Sequence, residues 1–169
     1  MISVSPNAWE VIDKKKNPVR NSYLSLTDWR DAWIKNHRFP YTPFVAEMYA
    51  LSEACDELLE EGLQNAFSRH RSVAEECRRG VEELGLKLWP RKREICSNTV
   101  TAIEVPEGYI DTEIVNTLSE KYGVLIGGGF RELKGQLLKI GHMGHQASIP
   151  NIFTTIEALK RTLNELKKR

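Results

Sequence analysis

Apolar positions recur at steps of three and four most regularly from Thr42 onward, at Val45, Met48, Tyr49, Ser52, Cys55, Leu59, Gly62, Leu63, Ala66 and Phe67. That spacing predicts a helix, with Thr42 as its N-cap and Pro43 at the first helical position. Acidic Glu53, Asp56, Glu57, Glu60 and Glu61 take its other faces. The run exceeds the usual helix of about 12 residues, so a bend is expected near Gly62. A second helical pattern continues through Val73, Ala74, Cys77, Val81 and Leu84 and stops at Gly85, a residue suited to a helix end. Arg69, His70, Arg71, Arg78 and Arg79 read mostly as a solvated face.

Ahead of this run, Ile2 to Ser5 alternates like a short strand. Ser5-Pro6 is a helix start, with Ser5 as N-cap, for a helix through Trp9, Val11 and Ile12 that dissolves in the lysines before Pro18. Leu26, Trp29 and Trp33 repeat at helical spacing, capped by Ser25 or Thr27. This aromatic-rich segment requires a partner surface, in this chain or on another. Pro40 and Pro43 then break the helical pattern.

After Gly85 the period changes. Leu86 and Leu88 alternate, Arg91-Lys92-Arg93 forms a connector, and Thr99 to Val105 is a β-branched strand. Asp111 caps a helix with Ile114, Val115, Leu118 and Tyr122 on one face. Residues 121–145 read as strand, glycine turn, strand: Val124 to Ile126, then Gly127-Gly128-Gly129, a basic connector, and Leu137 to Ile140. Ser148-Ile149-Pro150 starts a last helix with Ile152, Ile156, Leu159, Leu163 and Leu166 inward and Lys167-Lys168-Arg169 at its end. The order predicts an α+β fold, a small, mostly antiparallel sheet covered by helices.

Composition narrows the function classes. The formal net charge of +1 gives no case for nucleic acid or an anionic membrane surface. No apolar run approaches the ~20 residues needed to span a bilayer. Cys55, Cys77 and Cys96 are odd in number and widely spaced, which points to reduced thiols in a cytoplasmic protein. His142 and His145 lack the companion ligands of a metal site.

Several segments together resemble a known family. They are Val4-Ser5 with Ala8-Trp9, Tyr23-Leu24-Ser25-Leu26 ending at Trp29, and Tyr41-Thr42-Pro43 leading to Tyr49-Ala50-Leu51. Glu61-Gly62-Leu63-Gln64-Asn65 with Arg69-His70-Arg71, and Thr99-Val100-Thr101-Ala102 with Pro106-Glu107-Gly108, follow. Ile126-Gly127-Gly128-Gly129, Leu133-Lys134-Gly135 and Lys139-Ile140-Gly141-His142-Met143-Gly144 complete the set. In this order they resemble the C-terminal part of class V pyridoxal-phosphate (PLP) aminotransferases, the alanine–glyoxylate and serine–pyruvate group. The fold implied is the C-terminal small domain of fold-type I PLP-dependent transferases, over 43–169, with an N-terminal helical extension over 1–42.

The resemblance also implies roles. Thr42 matches a residue that reaches the cofactor phosphate of a neighbouring subunit, with Tyr41 beside it where Phe39 stands in place of a family tyrosine. Lys139 occupies the position of an arginine that grips the substrate carboxylate, and Gly127 and Gly128 face the mouth of the site. The family's Schiff-base lysine falls upstream of the segment matching Ile2 to Ser5. The chain is therefore expected to be inactive alone and to transfer amino groups between a small amino acid and a 2-oxo acid only with an N-terminal half. The alternative is a non-catalytic remnant or interaction domain that self-associates. A homodimer is the expected assembly.

Overall fold

The structure, a computed structural model, describes residues 2–167. They fall into two compact units, divided between Asp56 and Glu57.

In the first unit, Ser5 caps helix α1 (Pro6–Asp13), its Oγ accepting the Ala8 N–H at 3.2 Å. Residues 2–5 are not a strand. Among the described residues no strand pairs with them, and an unpaired segment has no ladder to join. Helix α2 (Leu26–Trp29) is capped by Ser25, and Thr27 is buried inside the helix. It passes directly into a π-helical stretch, Arg30–Ile34. The aromatic residues pack on one another. Tyr23 meets Trp29 and Phe44 edge to face at 5.4 and 5.7 Å, and Trp33 stacks on Phe39 at 4.6 Å. The Arg30 guanidinium lies 4.4 Å from the centre of the Trp9 ring, a cation–π arrangement.

Helix α3 (Val45–Glu61) starts later than its sequence pattern predicts. Its first accepting carbonyl is that of Phe44, so Thr42 is not the N-cap. Tyr41 and Phe44 are both held in the aromatic cluster, which keeps the chain out of helical geometry until Phe44 has passed. The three-and-four pattern of α3 is real, but the helix has no buried residue, and Met48, Tyr49 and Leu59 are all more than half exposed.

In the second unit the expected bend is a full break. Gly62 takes φ +81°, a conformation favouring glycine, and α4 (Leu63–Glu83) follows. Leu84 is its C-cap, and Gly85 follows with φ +75°. The sheet contains β1 (Val100–Glu104), β2 (Gly127–Gly128) and β3 (Leu137–Gly141) in the order β1-β3-β2, antiparallel throughout. Leu88 adds one bridge to Ile103. Ile103, Leu138 and Ile140 are buried against Val73, Cys77 and Val81 of α4, Ile114 and Leu118 of α5 (Asp111–Tyr122), and Ile152 and Leu159 of α6 (Ile149–Leu166). Each such side chain contributes roughly 1.5–3 kcal/mol by leaving water. Ser148 caps α6 as its sequence predicts; Lys168 and Arg169 lie outside the described residues. No described helix is long and apolar enough to cross a membrane.

Three expectations are corrected here. Val124 to Ile126 is not a strand, because Val124 donates its N–H to Leu118 and is used in closing α5 around Gly123. The strand falls instead on Gly127 and Gly128. Asp111 is the first residue of α5 rather than its cap, with Ile110 in the cap position. Arg78 does not lie on a solvated face. Only 2% of it is exposed, and it donates to Glu75 and the Ser97 carbonyl.

Two glycines permit close approaches. A Cβ at Gly80 would lie 2.9 Å from Ile156 Cγ1 across the α4–α6 contact, and one at Gly129 would lie 1.8 Å from the Leu133 carbonyl oxygen. Gly129→Ala is therefore expected to destabilise the second unit by about 3 kcal/mol. Gly80→Ala should cost less, because the helical gain of up to about 1 kcal/mol offsets part of the overpacking. Urea unfolding midpoints of the two variants test this ranking.

In the first unit, Lys35 and Arg20 on the Asp31 carboxylate hold its pKa down to about 2 from an ordinary 3.8. The stability these pairs give is present above pH 3.8 and is lost as pH falls through about 2. An NMR titration of the Asp31 carboxyl should show this, and Lys35→Met should move its midpoint back toward 3.8.

Candidate functional site

The candidate site is the outer face of the sheet around β3. Lys139 alternates away from buried Leu138 and Ile140. Its cross-strand neighbours are Ala102 on β1 and Gly127 on β2. Both are small, so the lysine stem lies over bare backbone. A Cβ at Gly127 would sit 3.4 Å from Lys139 Cε and 3.9 Å from Nζ. Lys139 is exposed and makes no ion pair among the described residues. An uncompensated ammonium beside a strand without side chains is a suitable contact for one small anion, offered as a point charge with three donors.

The loops around this face are pinned by charged groups. Asp111, 8% exposed, accepts the Thr112 N–H at 2.8 Å and the Gly135 N–H at 3.1 Å. A Cβ at Gly128 would stand 3.3 Å from its Oδ2. Asp111 thus joins the start of α5, β2 and the connection into β3. At the other end of β3, Arg69 pairs with Glu61 through Nε and Nη2 and donates through Nη1 to the carbonyls of Gly144 and Ala147. His70 Nε2 accepts the Gly144 N–H at 3.1 Å. The Arg69 guanidinium holds the Glu61 carboxyl below its ordinary range. Sequence reasoning placed Arg69 on a solvated face, and only its match to a family motif singled it out.

The two histidines part company. His142 is buried, with Nε2 2.8 Å from Thr101 Oγ1, and burial pushes its pKa down. His145 is exposed and pairs with Glu57 at 3.0 Å. Burial pushes the Cys77 thiol up. Among the described residues no three acidic, histidine or cysteine side chains gather as metal ligands.

The structure brings Gly127, Gly128 and Lys139 together. Tyr41 and Thr42 belong to the first unit. Tyr41 donates its phenol to Asp28 at 2.8 Å, and Asp28 also accepts from Arg20 and the Asn21 N–H. Thr42 is exposed, and its hydroxyl makes no hydrogen bond among the described residues.

No family model matches the chain. Over 165 residues it is 38% identical to an uncharacterised aminotransferase of Methanocaldococcus jannaschii, covering 98% of this chain and 42% of that protein. It is 36% identical to a pyridoxamine–pyruvate transaminase of Mesorhizobium japonicum, with 97% and 42% covered. The crystal structure of pyridoxamine–pyruvate aminotransferase from Mesorhizobium loti superposes with a TM-score of 0.90 at 34% identity, again over 98% of this chain and 42% of the other. The chain is homologous to the C-terminal part of class V aminotransferases. It spans less than half the length of these relatives.

Within that family the coenzyme is PLP. Every described lysine is exposed, whereas an imine-forming lysine is activated by desolvation or a neighbouring cation. Of the two residues matched to the phosphate, Thr42 offers a free hydroxyl and Tyr41 has already donated its own.

Asp111 is the residue on which the geometry around Gly127 and Gly128 turns. Asp111→Ala is expected to cost about 1 kcal/mol, the loss of two part-buried hydrogen bonds to a charged acceptor whose donors water can partly satisfy. Denaturant unfolding measures the loss, and faster amide hydrogen exchange at Gly135 distinguishes it from a general loosening.

Proposed function

We propose that this chain acts as the C-terminal portion of a PLP-dependent aminotransferase, exchanging an amino group between a small amino acid, such as alanine or serine, and a 2-oxo acid, such as glyoxylate or pyruvate. The observation that carries the reading is Lys139. It is an unpaired cation on an open strand face, over Gly127, in a chain homologous to aminotransferases along nearly its whole length. Lys139 holds the carboxylate common to amino donor and oxo acceptor. The imine-forming lysine and most of the coenzyme's contacts come from the part of the relatives that this chain does not span. Thr42 contributes a hydroxyl to the coenzyme phosphate of a neighbouring subunit in a homodimer.

Lysine in place of a planar, two-pronged guanidinium makes the carboxylate contact weaker and less directional. A second reading, a non-catalytic domain that self-associates, is favoured by the exposed apolar face of α3.

Co-expression with a segment equivalent to the unspanned part of the relatives separates the two. The proposal expects visible PLP absorbance that borohydride removes, and transamination of alanine or serine. A folded assembly that gives neither supports the second reading. In an active assembly, Lys139→Met should raise KM for the amino acid by roughly 10- to 100-fold, the range of a hydrogen bond to a charged group. Lys139→Arg should lower it.

A further inference from the structure

Tyr41, Thr42, Pro43 and Phe44 carry the chain from the aromatic cluster into α3. The Tyr41 ring lies 5.9 Å from that of Tyr23 and 6.3 Å from that of Trp29, and its phenol donates to Asp28 Oδ2 at 2.8 Å. The Pro43 ring fixes its own φ, and Phe44 meets Tyr23 edge to face. Thr42 differs from these neighbours. It is exposed, and its hydroxyl makes no hydrogen bond among the described residues.

The anchor behind Tyr41 is a single carboxylate. Asp28 Oδ2 also accepts the Asn21 N–H at 2.8 Å, and Oδ1 accepts from Arg20 Nη1 at 3.0 Å. Only 15% of the Asp28 side chain is exposed. Ser25 Oγ accepts the Asp28 N–H at 3.1 Å, which fixes the aspartate in the first turn of α2. Burial and the Asp28 carboxylate push the Tyr41 phenol up, so it keeps its proton and donates it. A hydrogen bond to an ionised acceptor is stronger than one between neutral groups.

We propose that Asp28 is a positioning residue for the coenzyme: by holding the Tyr41 phenol, it fixes the backbone that presents the Thr42 hydroxyl to the phosphate. This role for Asp28 rests on the one proposed above for Thr42. Tyr41 then serves as the anchor rather than as a second phosphate donor, because its one phenolic proton is committed to Asp28. A hydroxyl on an anchored backbone has less ordering left to lose on binding, and the difference appears as affinity.

The test compares PLP with pyridoxal, which lacks the phosphate, in equilibrium binding to the co-expressed assembly. Asp28→Ala should weaken PLP roughly tenfold, within the range of one hydrogen bond to a charged group, and leave pyridoxal unchanged. Asp28→Asn keeps an acceptor for the phenol and should restore most of the affinity. Tyr41→Phe leaves the Arg20 and Asn21 contacts in place and should reproduce the loss, which keeps the test decisive if Asp28→Ala does not fold. Added to Thr42→Val, Asp28→Ala should weaken PLP no further, because both changes remove the same contact. Equal losses of PLP and pyridoxal, no loss in the folded variants, or a full additional loss on top of Thr42→Val each overturn the role of Asp28 and leave the proposed function standing. A wild-type assembly that binds no PLP overturns both.

Discussion

The second unit depends on β3 being hydrogen-bonded along both edges. A five-residue strand in a three-stranded sheet has little intrinsic stability. It persists here because Leu138 and Ile140 bury one face against three helices while β1 and β2 satisfy its backbone. On the β2 side the pairing is made by glycines. With no side chain at Gly127, the Lys139 stem can lie across the strand, and with none at Gly129 the chain can pass against Leu133. The position of the Lys139 ammonium on this face is thus a consequence of packing on the other.

Charged groups carry the remaining precision, and they do so by holding backbone. Asp111 fixes the connection into β3 through Gly135, and Arg69 fixes the segment after β3 through Gly144 and Ala147. In both cases the side chain replaces the ladder that a regular element would supply to those amides and carbonyls. Arg69 gains further from Glu61, an arrangement in which the ion pair orients the guanidinium and the guanidinium orients the loop.

Much of this fold was legible from periodicity. The long helices, β1, β3, the break at Gly62 and the end at Gly85 follow from apolar spacing and glycine chemistry. The misreadings have physical causes. Two glycines in a strand carry no β-propensity, so β2 was hidden in what looks like a turn. Four alternating residues at 2–5 resemble a strand, but pairing is a tertiary property. Thr42-Pro43 has cap chemistry, yet the aromatic cluster delays the helix to Val45. Arg78 reads as surface because arginine usually is, and only the fold shows it between α4 and the Ser97 carbonyl. Of the candidate site residues, three fall on one face of the sheet. Lys139, Gly127 and Gly128 converge, while the hydrogen bond that uses up the Tyr41 phenol leaves no trace in sequence.

The contrast between Lys139 and Arg78 bears on why a lysine suits the proposed carboxylate contact. A buried cation must satisfy its hydrogen bonds through protein groups, and arginine's fork does this for Arg78 at two of its three nitrogens. Lys139 is under no such demand, since it stands exposed over a glycine and water solvates its ammonium until a ligand replaces that water. An ammonium in that setting loses directionality but tolerates a shift in the position of the anion that a bidentate guanidinium would resist. The open strand face around it imposes little shape of its own, because its neighbours are Ala102 and Gly127. On the reading proposed for Lys139, selectivity among carboxylates therefore comes from whatever surface stands opposite this face, rather than from β3.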